Sequence, residues 1–302
     1  MNWATLAMSS ALVFAFVAVL DKYLLAHSLP NVRIFYLVVG TLQILMGLII
    51  LILSPWTSNP SIFTLFIAIS SGLIWGAGLM LMFYGISKLE VSRVIPIAHT
   101  YPVFVAIMAV AFLGERLSIP QCFGVIITVC GAALTPMKPN HQTSEGVNSK
   151  LYLLVLLGSV FTATANVTYK YALEDMAFWD ITAIRSFSLG TILICGGCNI
   201  STIRDLKDLI SYSWASLSML VFVEGILAPV GMLMMLQSLA LGPVSLASTL
   251  MSIRPFFVLI ISGVLSTKYI GILNEPIDRE TLPVKLLSTT MIFVGICLLM
   301  LY

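Results

Sequence analysis

Charge is what this chain has least of: 15 Lys and Arg and 13 Asp and Glu among 302 residues, 9% in all, where soluble domains carry about 25%. So few charges cannot clothe a folded surface in water, which excludes a soluble globule and leaves the lipid bilayer as solvent. The sequence also lacks the alternating stretches of about 10 residues that build outer-membrane barrels, so its spans are expected to be helices. There is no basic cluster, which gives nucleic acid no footing as a partner. The five cysteines all lie in or beside apolar runs, which argues against an extracellular disulfide framework. Cys195 and Cys198 have C-x-x-C spacing, but no His or second Cys pair supports a metal or redox site. Zincin, nucleophile-elbow and Walker motifs are all missing, so no catalytic residues, metal or cofactor are expected and nucleotide-driven pumping has no sequence basis.

What is present is apolar sequence in long runs: 59% of residues are hydrophobic and the mean hydropathy is +1.05. Breaking the chain at charges, prolines and polar clusters predicts ten helices, at about 3–24, 34–53, 62–87, 91–113, 119–135, 150–173, 178–199, 214–240, 244–266 and 283–301. The first span runs into Asp21-Lys22 without a basic leader or a small-residue cleavage site, so it is expected to stay rather than be removed as a signal peptide. A polar linker, 136–149, divides the chain into 1–135 and 150–302, five spans each.

The halves are related. A shift of 153 brings Gly72 onto Gly225, Gly78 onto Gly231, Val91-Ser92 onto Val244-Ser245, and Pro102-Val-Phe104 onto Pro255-Phe-Phe257. Asp21-Lys22-Tyr23 meets Tyr169-Lys170-Tyr171 at a shift of 148, and Gly40-Thr41 meets Gly190-Thr191 at 150. Ordered matches at both ends of the half indicate duplication. An odd number of spans per half places the copies in opposite orientation, the build of many secondary transporters, with the substrate site at the repeat interface. The expected architecture is therefore an all-α membrane protein of ten transmembrane helices in two inverted five-helix repeats.

The segment from Gly85 to Phe104, with Leu113-Gly-Glu-Arg-Leu117, Gly124 and Gly131 after it, resembles the end of an EamA domain of the drug/metabolite transporter superfamily. Ser238 to Ser248 and Arg254-Pro-Phe-Phe257 extend the likeness to the second half. The pattern is broken where Leu113-Gly-Glu-Arg would recur, since the second copy reads Ser266-Thr-Lys-Tyr269 and carries an insertion, Ile270 to Arg279. The resemblance implies ten helices, no ATPase module, and export or exchange of small metabolites; it does not fix the substrate.

An ionisable group at mid-membrane is costly unless it faces a partner or a wet cavity, so such groups mark function by default. Glu224 and Arg254 lie about ten residues inside the eighth and ninth spans, and His99 lies in the fourth. Arg254 is expected either to hold a carboxylate or phosphate or to form a structural ion pair with Glu224. His99 is either a helix-to-helix hydrogen-bonding group or a proton-coupling imidazole. Repeat symmetry sets Ala98 to Tyr101, with Thr100, across from Met251 to Arg254, and Pro96, Pro102 and Pro255 free carbonyls at that depth. Asn166 is a further substrate-contact candidate. Lys22 and Lys170 stand at equivalent places in the halves, as snorkelling side chains or as gating, anion-attracting groups. Met80, Met82, Met232, Met234 and Met235 are candidates for an adaptable cavity wall.

Orientation is contested. Eleven Lys and Arg (Lys22, Arg33, Lys88, Arg93, Lys138, Lys150, Arg204, Lys207, Lys268, Arg279 and Lys285) fall beside odd-numbered loops, and three (Arg116, Lys170 and Arg185) on the side of the termini. The positive-inside rule then places the termini outside, whereas the family resemblance implies that they are cytoplasmic. The leading functional expectation is a secondary transporter of the cell (inner) membrane that carries a small polar or anionic metabolite, with the bilayer, the substrate and a coupling proton or counter-substrate as partners. The alternatives are efflux of lipophilic cations, with Glu224 as counter-ion, and a membrane enzyme or lipid-handling protein without a transport cycle.

Overall fold

The computed structural model describes residues 2–25, 29–88, 94, 97–134, 149–212, 214–265 and 282–301. Within them every regular element is helical: α1 (Trp3–Tyr23), α2 (Val32–Leu53), α3 (Ile62–Lys88), α4 (Tyr101–Phe112), α5 (Ile119–Leu134), α6 (Ser149–Ala172), α7 (Phe178–Gly197), α8 (Ile200–Tyr212), α9 (Trp214–Phe222), α10 (Ala228–Leu241), α11 (Val244–Met251), α12 (Arg254–Leu265) and α13 (Leu282–Leu301), with a π-helical turn, Val223–Leu227, joining α9 to α10. Nearly all of the 136–149 linker and all of the 270–279 insertion lie outside the described residues, as does the side chain of Lys22.

Six helical stretches are long and apolar enough to cross a membrane: Trp3–Asp21, Val32–Leu53, Ile62–Lys88, Lys150–Ala172, Phe178–Gly197 and Trp214–Leu241. The other four expected spans correspond to shorter apolar helices among the described residues. The long helices carry large exposed hydrophobics on their outer faces, such as Ile52 on α2 and Phe63 and Phe66 on α3, which suits a lipid environment and not water. The chain is an integral membrane protein.

Three features depart from the sequence expectation. The ninth span, expected as one helix over 244–266, is broken: α11 stops at Met251, Ser252 and Ile253 form a turn, and α12 begins at Arg254. Pro255 is the cause, because it has no N–H to give Met251 and its ring crowds that carbonyl. The fourth span is interrupted likewise, since His99 and Thr100 form a turn before α4, which has Pro102 at its second position. Tyr101 and Arg254, equivalent at a shift of 153, thus both open a half-helix. The third departure is α8, which stands where a plain connection was expected.

Glycine sets how closely the helices pack. A Cβ at Gly40 would lie 2.8 Å from the Gly190 carbonyl and one at Gly190 2.6 Å from the Gly40 carbonyl, so α2 and α7 touch backbone to backbone. With Gly47 against Phe187 and Gly197 against the Arg33 carbonyl, the two helices run antiparallel. The start of α1 and the end of α6 both reach the end of α10: Ser238 Oγ donates to the Trp3 carbonyl at 2.8 Å, and Lys170 Nζ donates to the Leu239 carbonyl at 2.9 Å. Hence α1 and α6, which carry equivalent Lys-Tyr pairs, also run in opposite directions.

Candidate functional site

Two helix ends that need polar partners find them on side chains from other parts of the chain. Lys170 Nζ donates to the carbonyls of Leu239, Ala240 and Gly242 at 2.9, 3.0 and 3.0 Å, which satisfies the last turn of α10 and complements its dipole. One turn further on, Glu115, from the Leu-Gly-Glu-Arg motif, accepts from Val244 N, Ser245 N and Ser245 Oγ, and so caps α11, whose Pro243 has no side chain to do it. The Lys170 ammonium is thereby committed to backbone carbonyls.

Between these helices lies a cavity of about 140 Å³, room for a molecule about the size of benzene. Its wall is mostly apolar and aromatic, with Phe14, Phe35, Trp75 and Phe83, and Met82, Met232, Met235 and Met251 among the liners. Of the methionines singled out from sequence, Met80 and Met234 are not on the wall; the Met80 carbonyl instead accepts from Tyr36 Oη at 2.8 Å. A smaller recess continues past Asp21, His99 and Arg254 towards Leu25, Ile86 and Val258.

Three charged groups meet in this cavity. Arg254 lies with its guanidinium carbon 5.3 Å from the centre of the Phe14 ring, and its electrostatic neighbours include Asp21 and Glu224. Asp21 and Glu224 are within side-chain hydrogen-bonding reach of each other, and Asp21 Oδ1 is buried with no hydrogen-bond partner among the described residues. Glu224 owes its place to the π-helical turn: Pro229 cannot donate to Gly225, and the ladder shifts so that Ala228 N bonds the Val223 carbonyl. Arg254 and Glu224 are therefore brought together, and Asp21, which from sequence only marked the end of a span, joins them.

The other sequence candidates are distributed as follows. His99 lines the cavity with Nδ1 buried and, among the described residues, unpartnered, its ring centre 6.3 Å from that of Tyr101. Tyr101 also lines it, with Oη donating to the Ser248 carbonyl at 3.3 Å. Thr100 is not on the wall; its Oγ1 donates to the Ile97 carbonyl at 2.7 Å and lies 3.2 Å from Ser159 Oγ. Asn166 is on the wall, and its Oδ1 accepts from Arg185 at 3.2 Å.

Arg185 is the residue that the sequence reading misplaced. Expected as a flanking charge on the side of the termini, it is instead fully buried, with its guanidinium carbon 4.5 Å from the Trp75 ring centre and 5.0 Å from that of Tyr169. It donates to Ser71 Oγ and the Ala165 carbonyl at 3.1 and 3.2 Å. Its depth, seven residues into a span, was the signal, the same one that marked Glu224 and Arg254. With Arg185 removed and Lys170 committed to helix carbonyls, the charge tally on the side of the termini shrinks to Arg116. Gln43, which has no mark in the sequence, is on the wall itself, buried with Oε1 unpartnered among the described residues.

Comparison with known proteins matches this layout to a family. The sequence pattern of the EamA-like transporter family fits residues 1–137 and again residues 149–301. The chain belongs to the EamA-like transporter family. Each half is thus an EamA-like segment. The chain is also 30% identical over 67 residues to an uncharacterized protein, MJ1333.1, of Methanocaldococcus jannaschii; the match takes in 22% of this chain and 49% of that protein, so the chain spans about half the length of this curated relative. A solved structure titled only as the crystal structure of a protein superposes with a TM-score of 0.71 over 99% of both chains at 12% identity, a likeness of fold alone.

Proposed function

We propose that this EamA-like protein is a secondary transporter that carries a small polar metabolite across the cell membrane by alternating access, as export or exchange, without ATP. The single observation that carries the reading is the Asp21, Glu224 and Arg254 cluster, its two carboxyls buried, on the wall of a cavity that a membrane protein has no structural need to make polar. Ten spans in two inverted repeats belong to the same reading. The antiparallel course of α1 against α6 and of α2 against α7 supports it, because equivalent helices related in this way let inward-open and outward-open packings mirror each other.

In this mechanism Arg254 and Glu224 contact the substrate, with His99, Tyr101 and Asn166 completing the wall. Two ionised carboxylates are acceptors only, so the contact between Asp21 and Glu224 is favourable when one proton lies between them; release of that proton, with His99 nearby, would couple transport to a proton gradient. A lone anion would meet two carboxyls at Arg254, which is why the polar form of the substrate is preferred here to a purely anionic one. The same surplus of carboxyls, beside Phe14 and Phe35, favours one second reading, efflux of lipophilic cations. The test is counterflow in proteoliposomes across a metabolite panel. The proposal expects transport that Glu224→Gln and Arg254→Ala reduce at least tenfold with the fold intact; full activity in both variants would remove the cluster from the mechanism. A cation whose transport depends on Glu224 but not on Arg254 would favour the second reading.

A further inference from the structure

Arg185 stands one layer behind the cavity wall, and every partner it has among the described residues is neutral: Ser71, the Ala165 carbonyl, Asn166 and the rings of Trp75 and Tyr169. Its Nε is buried with no hydrogen-bond partner among the described residues. A buried cation without a counter-ion is costly, and the cost is relieved when an anion comes within reach. Two of its partners, Trp75 and Asn166, are themselves on the cavity wall. A guanidinium can only donate, so the bond from Arg185 fixes which end of the Asn166 amide is oxygen. What Asn166 has left to offer a ligand is its NH₂, a donor made more acidic by the cation behind it.

The cavity is therefore polarised. Around Asp21, Glu224 and Arg254 carboxyls outnumber the guanidinium; at Asn166 there is a donor backed by an uncompensated positive charge. Both poles adjoin α3, Trp75 at the Arg185 pole and Met82 in the recess with Asp21 and Arg254. Seven helical residues separate them, roughly 10 Å at 1.5 Å per residue.

We infer that Asn166, backed by Arg185, is a carboxylate subsite, and that the substrate is dipolar, with its protonated amine at the Asp21 and Glu224 pole and its carboxylate at Asn166. This deepens the transport reading above and rests on it. Arg185 is here a positioning residue, acting through Asn166.

The test measures thermal stabilisation of the purified full-length protein by three matched series: ω-aminocarboxylates of two to six carbons, n-alkylamines and n-alkanoates. Wild type should respond to the aminocarboxylates at concentrations at least tenfold lower than to either single-charge series, as expected for losing one charge-assisted hydrogen bond. Asn166→Asp should raise the unfolding temperature of the free protein, because it gives Arg185 its counter-ion, and should abolish the advantage of aminocarboxylates while the alkylamine response persists. Asn166→Ser, which adds no charge, should also lose that advantage and serves where the aspartate variant fails to fold. Equal responses of wild type to amines and aminocarboxylates, or an undiminished aminocarboxylate response in both variants, would overturn the inference. Counterflow of the same compounds separates the two claims: binding that depends on Asn166 without counterflow contradicts transport and leaves the subsite standing, whereas counterflow indifferent to Asn166 does the reverse.

Discussion

Two corners of this molecule occupy equivalent places in the two halves and use arginine in opposite ways. In one, Asp21, Glu224 and Arg254 gather charges of both signs. In the other, the equivalents of Asp21 and Glu224 at shifts of 148 and 153 are the neutral Tyr169 and Ser71, and the cation there is Arg185, held by oxygens and ring faces. The equivalent of Arg185 at a shift of 150 is Phe35, packed on Phe83 at 4.6 Å between ring centres. One corner gathers ionisable groups on the cavity wall, and the other keeps its cation behind that wall among neutral partners.

Glycine gives the sharpest way to break this comparison. A Cβ at Gly72 would sit 2.5 Å from the Arg185 carbonyl and 2.6 Å from Ser188 Cβ, whereas at the equivalent Gly225 the nearest atom, of Leu42, is 3.4 Å away. Gly72→Ala should cost about 3 kcal/mol by prising α3 from α7, and Gly225→Ala should change stability by less than about 0.5 kcal/mol, both read from unfolding in detergent. Next in size, Arg185→Lys should cost about 2 kcal/mol, since an ammonium cannot replace a planar fork that serves three acceptors between two rings. Arg254→Lys, acting as a charge among carboxyls, should keep its stability, and the pair of lysine variants measured side by side tests whether the two arginines differ as described. Glu115→Gln should cost about 1 kcal/mol through the weakened cap on α11, with the cavity's ligand response unchanged. Cys198→Ser, at an exposed position outside the cavity, should be silent in both stability and ligand response.

The sequence made some of this legible and hid the rest for physical reasons. Long apolar runs and the offset matches disclosed the helical membrane class and the two related halves, because the bilayer constrains composition so strongly. Depth in a span found Glu224, Arg254 and His99 on the cavity wall. Arg185 lies at a comparable depth, but in the balance of Lys and Arg between the two sides it reads as a flanking charge. Asp21 was hidden by its position near a helix end, where lipid exposure and cavity exposure cannot be told apart without knowing which neighbour covers it. The breaks before Tyr101 and Arg254 follow from Pro102 and Pro255, but a proline in a membrane helix permits either a kink or a stop. Lys170 was seen as a candidate cation; that its targets are the carbonyls of Leu239, Ala240 and Gly242 is a tertiary fact with no local signature.

The most direct test of the central claim is counterflow by Glu224→Gln in proteoliposomes, with thermal unfolding measured on the same preparation. The account predicts that transport falls at least tenfold while the unfolding temperature holds or rises, because the substitution removes the exchangeable charge and leaves the packing of the π-helical turn in place. Transport equal to wild type in a folded Glu224→Gln protein would contradict it.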